Sequence, residues 1–105
     1  MNDSRRFRMS TSFYMPVGDF DSKISTMREY LQKPDSGVRY PVLSADAKTK
    51  RVSLDLIVDA GTWKSAEDKA DSALMGALDA AQVDLIMPDT DKSMLDNRVT
   101  ELALV

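Results

Sequence analysis

The sequence predicts an α+β fold of the ferredoxin-like type: an antiparallel four-stranded sheet with two helices on one face. Three observations carry this. Arg5–Met15 and Arg51–Ala60 alternate apolar and polar residues with the period of two of half-buried strands. Phe20–Leu31 and Ala66–Ala81 carry apolar residues at helical spacing. The elements then run strand, helix, strand, strand, helix, strand, which is the split βαβ order of that fold. At 105 residues the chain is one domain, 1–105.

Along Arg5–Met15, Phe7, Met9, Thr11, Phe13 and Met15 share one face. Arg6, Arg8, Ser10, Ser12 and Tyr14 share the other. Pro16-Val17-Gly18 ends the strand. Asp19 or Asp21 suits a helix N-cap, and Phe20, Ile24, Met27 and Leu31 form the buried stripe that follows. Lys33-Pro34-Asp35-Ser36-Gly37 stops it.

Tyr40–Ala47 is a weaker strand, and Pro41, which cannot donate to a ladder, sends it to a sheet edge. Lys48-Thr49-Lys50 turns the chain into the clearest strand. There Val52, Leu54, Leu56, Val58 and Ala60 line the core face; Arg51, Ser53, Asp55, Ile57 and Asp59 line the other. Gly61–Lys64 reads as a connection, and Ser65 with Asp68 as a shortened capping box. Alanine dominates the stripe of the second helix, and Gly76 within it implies a close neighbour. Trp63 reads as packing at the helix start rather than as a ligand platform.

Val83–Met87 could add a short fifth strand ended by Pro88, and Asp89–Asn97 reads as a polar loop. Arg98–Val105 is β-leaning, with an apolar end that is expected to tuck into the sheet. In this topology the first and third strands are central.

Composition excludes several functions. With no Cys and no His, the chain has no thiol nucleophile, disulfide, thiolate or imidazole metal site, or Ser–His–Asp triad. No cofactor or metal is expected. Asp89-Thr90-Asp91 resembles the start of a calcium loop, but Met94 stands where the sharp turn needs Gly and Thr100 where the loop needs Glu. No apolar run is long enough for a membrane helix, and the basic Met1–Arg8 segment lacks a following apolar region, so a cytoplasmic protein is expected. Charge is uneven. Residues 1–52 hold ten Lys/Arg and six Asp/Glu, giving +4; residues 53–105 hold four and eleven, giving −7. The split suits solvated faces of different sign, or complementary surfaces.

The uncovered sheet face is the candidate functional surface. It gathers Arg6, Arg8, Tyr14, Asp55, Ile57 and Asp59, with apolar residues contributed by the edge strands. A partly apolar open face predicts association, with a second copy or with another protein, in a non-enzymatic interaction module. The alternative is a dimeric α+β barrel that binds or converts a small molecule in a pocket lined by Arg8, Tyr14, Asp55 and Asp59. Nucleic acid is disfavoured: Tyr14 is the only aromatic of the central pair on this face, and two carboxylates there repel phosphate. Cross-strand Arg–Asp pairing keeps the aspartates ionised, which argues against acid–base catalysis, and no catalytic residue is assigned.

Overall fold

In the computed structural model, which describes residues 4–86 and 92–105, the alternating segments lie side by side at the centre of the sheet. β1 (Arg5–Tyr14) pairs antiparallel with β3 (Arg51–Ala60) over its full length, from Arg5 opposite Ala60 to Tyr14 opposite Arg51. β2 (Arg39–Asp46) flanks β3, and β4 (Val99–Leu104) flanks β1, so the order is β2-β3-β1-β4. This is the ferredoxin-like α+β fold. Pro41 lies in the edge strand β2, as a residue without an N–H must. Beside it Tyr40 takes φ +51°, and the β2–β3 register shifts between Arg39 and Val42. A bulge there twists that edge away from regular pairing.

α1 (Phe20–Gln32) and α2 (Trp63–Ala80) cover one face. Phe20, Ile24, Met27 and Leu31 of α1 and the alanine stripe of α2 are buried against Phe7, Met9, Phe13, Val52, Leu54, Leu56 and Val58. α1 lies toward β2, where Arg28 donates to the Leu43 carbonyl; α2 lies over β3 and β1, and its Asp71 meets Arg98 just before β4. Tyr30 packs into the space at Gly76, where an added Cβ would stand 2.1 Å from its hydroxyl. Gly76 is therefore the price of close helix packing.

Helix starts differ from the sequence reading. Asp19 precedes α1 in a left-handed conformation (φ +53°) and makes no side-chain cap bond. α2 begins at Trp63: Thr62, not Ser65, is the cap, accepting the Ser65 N–H at 3.0 Å. A threonine three residues before a backbone N–H does this as well as a serine. Trp63 packs edge-on against Phe7, with ring centroids 4.9 Å apart.

Val83–Leu85 form no strand; Ile86 makes an isolated bridge to Ser93, and Met87 lies outside the described residues. Part of the expected polar loop is instead a 3₁₀ turn, Met94–Asn97, which buries Met94. The calcium-like Asp89–Asp91 also lies outside the described residues. No described helix is long and apolar enough to cross a membrane.

Candidate functional site

Register decides which residues share the open sheet face. Val42 lies opposite Asp55, while Leu43 turns to the core. Val99 lies opposite Ser12, Glu101 opposite Ser10 and Ala103 opposite Arg8. The face is thus banded. At one end Asp59 holds Arg39 at 2.7 Å and Arg6 at 3.6 Å. Next, Asp55 pairs with Arg8 at 3.4 Å and accepts the Ser10 hydroxyl. At the far end Tyr14 is opposite Arg51.

The six residues expected there do face one way, but they do not form one site. Arg6 and Tyr14 are eight residues apart on an extended strand, roughly 27 Å. Arg8, Asp55 and Ile57 share a shallow depression with Tyr40, Val42 and Val105. Asp59 and Tyr14 do not line it. In the single chain the expected pocket of Arg8, Tyr14, Asp55 and Asp59 is therefore absent, because the strands spread these side chains along an open surface. Arg6, Arg8 and Arg39 are each engaged by a carboxylate, while Arg51 donates to the Ser12 hydroxyl at 3.3 Å; the ion pairs are substantially exposed and contribute little to stability.

A more enclosed site lies on the opposite side of the sheet, along the seam between α2 and β4. A cleft of about 300 Å³ is lined by Met9, Glu67, Asp71, Arg98, Thr100 and Leu102. Edge strand β4 extends past the cover of α2, which leaves its helix-side residues to wall a groove. At the polar end Arg98, only 16% exposed, donates through Nη2 to Asp71 at 2.7 Å and through Nε to the Thr11 hydroxyl at 2.7 Å. Nη2 also lies 3.4 Å from the Met9 sulfur. Thr11 reaches Thr100 at 2.9 Å and the Val99 carbonyl at 3.2 Å. Met9 and Leu102 form the apolar floor and wall. One turn before Glu67, on the same helix face, Trp63 stands over Phe7, whose strand neighbour is Leu104. The groove therefore runs from a fixed guanidinium along Met9 and Leu102, with Trp63 one helix turn beyond Glu67.

Sequence reasoning did not single out this cluster. Its signal is Thr11, a hydroxyl in the otherwise apolar row Phe7, Met9, Phe13 and Met15, 4% exposed in the structure. A buried hydroxyl demands a partner, and the partner is Arg98 from the far end of the chain. Among the described residues no three carboxylates lie close enough together to hold a metal ion.

No family model and no curated protein sequence matches the chain. Solved structures do. A candidate antibiotic biosynthesis monooxygenase from Nitrosomonas europaea matches with a TM-score of 0.57 at 11% identity, over 100% of this chain and 94% of that one. A second, from Chloroflexus aurantiacus J-10-fl, gives 0.52 at 10% identity over 95% and 94%. A dimeric ferredoxin-like protein from an uncultured marine organism gives 0.48 at 12% identity over 98% and 90%. The chain shares its fold with the first two. At such identity the likeness concerns architecture alone.

Proposed function

We propose that this chain binds a small molecule in the groove between α2 and β4 and self-associates through its open sheet face as a dimeric α+β protein. The observation that carries the binding reading is the Arg98–Asp71–Thr11–Thr100 cluster set beside the apolar Met9 and Leu102 in one groove. Ligand sites combine apolar walls with a few fixed polar groups, and this groove joins Met9 and Leu102 to such fixed groups. Its ligand is a compact amphipathic molecule. The apolar body lies on Met9 and Leu102 toward Trp63, and a hydroxyl or carbonyl meets Thr100 and Arg98. That two structures with this fold are described as candidate monooxygenases supports a small-molecule role over a nucleic-acid one.

Association is supported by the exposed Tyr40, Val42 and Val99 on the face, which surround polar and paired groups rather than a continuous charged surface.

Trp63 is the only tryptophan and stands one helix turn from Glu67, so its emission serves as a probe beside the groove. Titration with 1-naphthol, with amide shifts at Glu67, Thr100 and Leu102 as the second readout, is expected to saturate in wild type and weaken in Leu102→Lys. Unsaturated, non-localised shifts at millimolar 1-naphthol would refute the binding reading. Sedimentation is expected to show self-association that Tyr40→Ser/Val42→Lys weakens; a concentrated wild-type monomer would refute self-association through the face.

A further inference from the structure

The two edges of the sheet differ in kind. β2 is guarded by Pro41, by the left-handed Tyr40 and by the register shift beside it. β4 has no such device. It runs regularly along β1 from Val99 to Leu104, with Val99 62% and Leu104 48% exposed. The direction of its free backbone groups follows from one bond. Val105 N–H donates to the Arg6 carbonyl at 2.9 Å, so odd-numbered residues of β4 turn their N–H and C=O toward β1. Thr100, Leu102 and Leu104 turn theirs outward, off the edge of the sheet.

We propose that β4 pairs antiparallel with β4 of a second copy about a two-fold axis at Leu102. This register sets Leu102 opposite the partner's Leu102 and Thr100 opposite the partner's Leu104, giving about six backbone hydrogen bonds from the outward groups. Glu101 then faces the partner's Ala103, and Val99 the partner's Val105. The register centred on Glu101 sets two carboxylates face to face at the closer, non-bonded spacing, which repels. The register centred on Thr100 leaves Leu104 and Val105 without opposite residues. The register at Leu102 pairs every outward group of the strand without opposing like charges, and this self-complementarity selects a second copy over an unrelated strand.

The pairing has a consequence for the groove. Leu102 and Thr100 form its outer wall, so the partner's Leu102 comes to stand beside that wall on the same side of the sheet. The two-fold runs perpendicular to the sheet, unlike one that stacks two open faces. Both contacts fit one tetramer with mutually perpendicular axes. The inference does not depend on ligand binding, since its test reads association at β4.

The chain has no cysteine, so Leu102→Cys introduces a single thiol. Under mild oxidation this variant is expected to form a disulfide-linked dimer, in the Tyr40→Ser/Val42→Lys background as well. A second pair of variants covers the case in which Leu102→Cys fails to fold. Thr100→Lys/Leu104→Lys places two like-charge pairs across the contact, and is expected to weaken association about tenfold in the same background. Thr100→Lys/Leu104→Glu restores it, because each lysine then faces the partner's glutamate. A folded Leu102→Cys that stays unlinked, or equal association of the two charge variants, overturns the proposal; an edge used by some other extended peptide gives that same result.

Discussion

Arg98, at the start of the last strand, meets Asp71 of α2 at 2.7 Å, and the same guanidinium reaches Thr11 of the first strand at 2.7 Å. One side chain therefore ties three separate elements at the open end of the groove. Its planar fork makes this possible: Nε and Nη2 point to different partners at once.

Arg98→Met keeps most of the apolar stem but removes both charge-assisted bonds. We expect a loss of about 1–2 kcal/mol in urea unfolding, held to that range because Asp71 stays partly hydrated. Arg98→Lys is expected to recover less than half, since an ammonium cannot serve Thr11 and Asp71 in the same geometry. Equal stability of wild type and Arg98→Met would mean the cluster contributes nothing to the fold.

Thr11→Val removes a hydroxyl without changing shape much, yet it leaves Arg98 Nε without its acceptor in a mostly dry site. The expected cost is about 1–3 kcal/mol. In the Arg98→Met background it should fall below about 1 kcal/mol, because no guanidinium is then stranded and only the contacts with Thr100 and the Val99 carbonyl are lost. A double-mutant cycle by chemical denaturation reads this coupling directly.

Gly76→Ala should raise helix propensity by roughly 1 kcal/mol, but the new Cβ would meet Tyr30 at 2.1 Å to the hydroxyl and 2.6 Å to Cζ. We expect net destabilisation in wild type and net stabilisation in a Tyr30→Ala background. Thermal melts of the four proteins decide it, and the same sign in both backgrounds would show that Tyr30 swings aside without cost.

Asp59→Asn removes the negative charge shared by Arg39 and Arg6 and turns one of its two acceptor oxygens into a donor. Because the group is substantially hydrated, the expected change is below about 1 kcal/mol and shrinks further in high salt. A larger, salt-insensitive loss would place this end of the sheet in a buried interface, which urea unfolding at two salt concentrations detects.

Much of the architecture is legible in the residues themselves. Period-two alternation in 5–15 and 51–60 dictates two half-buried strands, and only a sheet with those two at its centre buries both apolar rows. Pro41 dictates an edge. The alanines and Gly76 dictate a helix that approaches closely, though not that Tyr30 is what approaches. Sequence alone places the cap of α2 at Ser65 and the structure at Thr62, because both satisfy the same local chemistry and only the path of the chain out of β3 chooses between them.

The open-face residues Arg6, Arg8, Tyr14, Asp55, Ile57 and Asp59 could be assigned to one side of the sheet from alternation alone. Their partners across the strands could not, because which Arg meets which Asp depends on register. The groove is tertiary in origin. Met9, Thr11, Glu67, Asp71, Arg98 and Thr100 come from β1, from α2 and from the end of the chain around β4, with no local spacing to connect them. Sequence determined that Thr11 was a polar residue in an apolar row. Packing decided that its partner is Arg98, because burying a hydroxyl and a guanidinium together is tolerable only where each satisfies the other.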